Sequence, residues 1–271
     1  VRDVLLEMFE DGRLEVFDLA QPLASETPHS PNHPPFRMAL ARRHGDTVRE
    51  DGSSAASELI CTGGHTGTHV DALAHVSHKG LLYGGVRAEE AQRGGRFASH
   101  GIDQMPPLLC RGVMLDVASL HGVDVLPAGY GITRKDLEDA AQNEGIEVRS
   151  GDAVLVRSGW AVHFSDQDTF VGLENGVPGP DEEAARWLAD RRIRVTGGET
   201  VAYEQIKAGV GHRLLPVHRL LLTERGIHII EVMDLSRLAT ARVYEFLFVL
   251  APLKIIGGTG SPVRPLAVVR R

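Results

Sequence analysis

The sequence is poor in cysteine: Cys61 and Cys110 are the only two in 271 residues. Two isolated thiols make no disulfide framework, and a reducing, cytoplasmic compartment is the expectation. Aromatic residues amount to 5%, and no basic cluster with interleaved aromatics stands out. Positive charge is in deficit, with 29 Lys and Arg against 36 Asp and Glu and a formal charge of −7. Nothing therefore attracts a phosphate backbone in general, and nucleic acid is not an expected partner. No apolar stretch approaches the roughly 18 residues of a membrane span. No basic segment leading into an apolar one opens the sequence, so a secretory leader is not expected either. The 42% hydrophobic and 24% charged content is ordinary for a soluble globular protein. A chain of this length can bury a substantial core, and one domain over 1–271 is expected.

Histidine, by contrast, is concentrated. The run His65-Thr66-Gly67-Thr68-His69-Val70-Asp71-Ala72-Leu73-Ala74-His75 carries three imidazoles and a carboxylate at even intervals. In an extended segment alternate side chains share a face, so the spacing predicts His65, His69, Asp71 and His75 on one side and Thr66, Thr68 and Val70 on the other. A helix would rotate Asp71 away from His65, and Gly63, Gly64 and Gly67 disfavour helix. Burying four such groups without a cation is costly. Imidazole and carboxylate together suit zinc, manganese or iron rather than calcium or magnesium.

Around this run the pattern alternates strands with capped helices, which predicts an α/β fold. A short helix is expected over 2–10, a strand over 14–19, and an irregular Pro-rich loop over 21–36, with His29 and His33 read as solvated. Strands are expected over 112–120, 153–156, 193–196, 227–231 and 244–250. One helix should begin at Thr133, with Asp136 in its first turn and Gly145 as terminator. A second should open at Pro180 and run to Asp190, and a short one should start at Pro216 and close at Gly226.

Other candidates are weaker on their own. Glu231 falls on the face of Ile227 and Ile229, where a buried carboxylate needs an Arg or a metal. His218 by itself reads as a helix-start histidine. The segment Gly257–Pro262 lacks the phosphate-loop pattern and reads as a structural turn, and no G-x-S-x-G elbow supports a serine nucleophile. Trp160 and Phe164 are candidate walls of a substrate pocket, although as isolated aromatics they read first as core.

With these residues in view, the chain resembles the cyclase-like family of metal-dependent hydrolases, which includes bacterial kynurenine formamidases and isatin hydrolases. The family pattern H-x-G-T-H-x-D-x-P-x-H is matched from His65 to His75 except that Leu73 replaces the proline. The similarity continues through Gly151–Trp160, Gly197-Gly198-Glu199-Thr200, His218, Ile229-Ile230-Glu231 and Thr259-Gly260-Ser261-Pro262. The resemblance implies a swivelling β/β/α fold, commonly dimeric, with subunit contacts near the active site. It implies His65, His69 and Asp71 as metal ligands, His75 as the acid–base residue, and His218 and Glu231 completing a second metal position bridged by Asp71. The cofactor would be one or two Zn2+ or Mn2+ per subunit. The substrate would be a small aromatic or planar molecule, an aryl formamide or a cyclic amide such as isatin. Two alternatives stand beside this: a non-haem iron oxygenase with a two-His-one-carboxylate site, and a non-catalytic metal- or ligand-binding module.

Overall fold

The computed structural model describes residues 12–270; the helix expected over 2–10 lies outside the described residues. The strands that matter here are β1 (Leu14–Asp18), β2 (Arg37–Arg42), β3 (Ser57–Cys61), β4 (His69–Asp71), β5 (Leu108–Asp116), β6 (Ala153–Arg157), β7 (Val195–Gly198), β8 (His228–Glu231), β9 (Glu245–Leu250), β10 (Gly260–Pro262) and β11 (Leu266–Arg270). Nine of them form one sheet in the order β1-β11-β9-β5-β6-β7-β8-β4-β10, while β2 and β3 pair apart from it as a hairpin. The central four, β5 to β8, are parallel to one another, and the strands on either side are antiparallel.

Parallel strands are covered on both faces, which is why apolar residues alternate to both sides of them. Val113, Leu115, Val154, Val156 and Ile229 face one layer, built from α1 (Arg134–Glu144), α2 (Glu182–Asp190) and α3 (Pro216–His218) with the π turn Arg219–Arg225 that continues it. The alternate residues Met114, Ala153, Leu155, Val195 and Ile230 meet Phe17, Val70, Phe246 and Phe248 on the other side. The α1 capping signals read from the sequence are in place. Thr133 and Asp136 bond reciprocally as a capping box, and Gly145 ends the helix in the left-handed region.

Several boundaries differ from expectation for local reasons. The strand expected to run to 120 ends at Asp116, whose carboxylate accepts the Ser119 N–H at 2.9 Å and starts the helical turn Val117–Leu120. Helix α2 is capped by Asp181, which accepts from the Ala184 N–H at 2.8 Å, so Pro180 precedes the helix rather than opening it. The supposed turn at 257–262 contains the edge strand β10, paired with β4 through Gly260↔Asp71, Ser261↔Val70 and Pro262↔His69. Cys61 and Cys110 are both free. Among the described residues no helix is long and apolar enough to cross a membrane.

Candidate metal centre

The even spacing of the histidine run does not produce one long strand. Only His69–Asp71 is extended; Gly67 takes φ +66° and turns the chain before it, and the His75 N–H closes a turn onto the Ala72 carbonyl after it. A straight strand advances about 3.3 Å per residue and would separate the four groups along a line. The two turns fold them onto one point instead. The threonines between them hold this bend: Thr66 Oγ1 donates to the Pro34 carbonyl at 2.7 Å, and Thr68 Oγ1 donates to that of Val232 at 2.5 Å. The first of these bonds fastens the Pro-rich loop over the site.

Sheet register supplies the remaining groups. Glu231 lies directly opposite His69 in the β8–β4 pair, and His218 enters from α3. His69 Nε2 is 3.2 Å from Glu231 Oε2 and 3.6 Å from Asp71 Oδ1. His218 Nε2 is 3.1 Å from Glu231 Oε1 and 3.5 Å from Asp71 Oδ2. His65 Nδ1 lies 2.8 Å from Asp71 Oδ1. All five side chains are buried, Asp71 completely. Two trios, His65 with His69 and Asp71, and Asp71 with His75 and His218, have ligand atoms within 4.8 Å of one another.

The hydrogen-bond account fits a cation-binding role. Buried polar atoms are almost always paired, yet His69 Nε2, Asp71 Oδ2 and Glu231 Oε1 are buried without a hydrogen-bond partner. The outward nitrogen of His69 is engaged: its Nδ1–H donates to the Gly67 carbonyl at 2.8 Å, which leaves the Nε2 lone pair facing inward. His65 Nε2 lies 2.9 Å from Thr259 Oγ1. Imidazoles braced from behind, with lone pairs and carboxylate oxygens converging, form the donor set of a borderline divalent metal. Burial works against the charge of Asp71, but the neighbouring imidazoles of His75, His218 and His65 hold its pKa well below the usual carboxylate range.

His75 stacks on His65 with ring centroids 3.9 Å apart. Burial dominates its titration and pushes its pKa down to about 4 despite the Asp71 carboxylate, so the ring is neutral at pH 7. His33, read from the sequence as solvated, is partly buried and stacks on His65 at 4.9 Å and tilts against His75 at 5.9 Å. It arrives there because Pro34 is anchored by Thr66, a contact across the chain that no local pattern reveals. His29, also read as solvated, is partly buried too, with its ring bonded to the Thr27 carbonyl and its backbone to the Gln167 side chain. Trp160 and Phe164 belong to an apolar cluster with Phe170, Val177 and Ile206, and the Trp160 indole N–H donates to the Phe170 carbonyl at 3.1 Å. Trp160 also lines a surface cavity with Gln167 and Asn175; its ring contact is with His163 rather than with the imidazoles of the centre.

With this geometry established, comparison with known proteins gives a consistent picture. The Cyclase family model matches residues 17–205. The isatin hydrolase of Roseibium aggregatum is 27% identical over 265 residues, covering 95% of this chain and 93% of that protein. Among solved structures, a protein described as a novel cyclase has a TM-score of 0.83 and 29% identity, covering 93% of this chain and 88% of the other. An isatin hydrolase bound to the product analogue thioisatinate has a TM-score of 0.74 and 25% identity, covering 98% and 97%. The family model spans most of the chain and contains the whole histidine run on which the centre is built, and the chain belongs to the Cyclase family.

Proposed function

We propose that this protein is a metal-dependent hydrolase that cleaves the C–N bond of a small cyclic amide or aryl formamide. The observation that carries this reading is the convergence of unpartnered, fully buried His69 Nε2, Asp71 Oδ2 and Glu231 Oε1 on one point beside His218 Nε2. His65, His69 and Asp71 would hold the first ion, and His218 and Glu231 would complete a second position, for zinc or manganese. The two-His-one-carboxylate alternative uses three of these groups and leaves the rest buried without a role. Similarity to isatin hydrolases supports a substrate with a planar ring.

A divalent cation held by these residues would supply Lewis-acid chemistry, lowering the pKa of a water from 15.7 toward about 7. Asp71 and Glu231 neutralise its charge in a buried setting. His75, stacked on His65, would accept a proton from the attacking water and return it to the leaving nitrogen. Water adds across the C–N bond, so a cyclic amide opens to a carboxylate and an amine, and a formamide releases formate. His33 covers the rings of His65 and His75 and limits access of solvent to them. A second copy of the chain is the expected partner, through the exposed β2–β3 hairpin next to the site.

The test is metal analysis of protein purified without chelating resin, followed by assay of isatin, aryl formamides and small lactams with and without added zinc or manganese. Metal-dependent turnover of one of these classes is expected, and Asp71→Ala should lose most of both metal and activity. Full metal occupancy in Asp71→Ala would falsify the ligand assignment, and metal binding without turnover of any amide would leave a binding module.

A further inference from the structure

We infer that Glu204 is the positioning residue that turns His218 into a metal ligand, an inference that rests on the metal reading of the same cluster. Glu204 is buried at 1% exposure and lies outside every motif recognised in the sequence. Its carboxylate gathers three N–H groups from the start of α3. Oε1 accepts from His218 Nδ1 at 2.7 Å and from the His218 backbone N–H at 2.9 Å, and Oε2 accepts from the Val217 N–H at 3.1 Å.

A carboxylate with three donors on its two oxygens acts only as an acceptor, so the proton of the hydrogen bond to the ring sits on His218 Nδ1. The lone pair of the neutral ring is then on Nε2, the atom that lies 3.1 Å from Glu231 Oε1 and 3.5 Å from Asp71 Oδ2. The same carboxylate fixes ring and backbone together, so the imidazole can neither flip nor swing away without breaking bonds to the helix start. Carboxylate–histidine–metal relays of this form raise ligand basicity and fix the ring orientation. The bond to Glu204 distinguishes His218 from an ordinary helix-start histidine. Glu204 also adds a third buried carboxylate to those of Asp71 and Glu231, which increases the demand for a cation at this point.

The test is zinc titration of the metal-stripped chain against a competing chromophoric chelator, with thermal unfolding recorded for each variant. The wild type is compared with Glu204→Gln, His218→Ala and the double variant. Glu204→Gln should weaken the zinc ion that depends on His218 by about 10- to 100-fold, with no further loss when added to His218→Ala. Glu204→Asp, which keeps the charge but withdraws the oxygens by one methylene, should weaken the same ion and is judged by the same outcomes. Wild-type zinc affinity in Glu204→Gln overturns the inference alone, as does an equal loss in the His218→Ala background, because a purely structural residue would lower the melting temperature independently of His218. A wild-type chain that takes up no zinc overturns the metal reading, and this inference with it.

Discussion

At the scale of single residues, the distinction that matters is between imidazoles that face the convergence point with a braced lone pair and the one that stands above it. His69 and His218 are braced by a carbonyl and a carboxylate respectively. His75 has stacking as its main contact with the cluster, at 3.9 Å from His65 and 6.2 Å from His218. One of its nitrogens also lies within 4.8 Å of ligand atoms of Asp71 and His218, so two roles make different predictions. As the proton carrier, His75→Ala should retain its metal and lose kcat by about 10²- to 10⁴-fold; metal content and kcat measured on the same preparation check this. Loss of metal before loss of turnover would make His75 a ligand, and unchanged turnover would reduce it to packing.

At the scale of elements, the centre depends on how closely the β4 and β10 backbones approach it. Gly260 sits opposite Asp71 at the sheet edge, and a Cβ there would lie 2.5 Å from His65 Cε1 and 2.9 Å from its Nδ1. The ring fills the space a side chain would need, which explains glycine in an otherwise ordinary strand position. Gly260→Ala should therefore displace His65 and weaken metal binding at least tenfold, while the pairing of β10 with β4 and the far-UV circular dichroism stay unchanged. Metal affinity equal to wild type would show that the His65 ring can shift at no cost. Gly67 has a different role: its positive φ makes the turn that brings His65 back toward His69, and Leu23 occupies the place of a Cβ.

At the scale of the whole molecule, one element is not covered by the rest. Both strands of the β2–β3 hairpin are exposed along their length, and Met38, Leu40, Leu59 and Ile60 are 52–67% exposed. Met38 and Ile60 are cross-strand partners, so their side chains share a face. Clustered large apolar side chains on a free ribbon mark an interaction surface. The hairpin leaves the Pro-rich loop just after His33 and returns just before Gly63 and His65, so a partner seated on it would adjoin the metal centre. We predict a homodimer, with light scattering giving the mass of two chains and the Met38→Asp/Ile60→Asp pair giving one. A wild-type monomer at micromolar concentration would contradict this.

The sequence by itself determined the chemistry of the centre and most of the scaffold. The run from His65 to His75 announces its donors because they are close in the chain, and apolar runs and caps announce β5, β6, β8 and α1 because burial and helix termini impose short-range patterns. The sequence also placed Glu231 on a face that needs a cation. Tertiary structure alone decided that the donors meet at a point rather than along a strand, since that depends on turns at Gly67 and after Asp71. It alone decided that Glu231 faces His69, because register between strands far apart in sequence comes from packing of the whole sheet. His33 over His65 and Glu204 behind His218 escaped the sequence for the same physical reason: each contact is made by loops whose paths are set by distant hydrogen bonds, and local periodicity carries no information about where a loop returns.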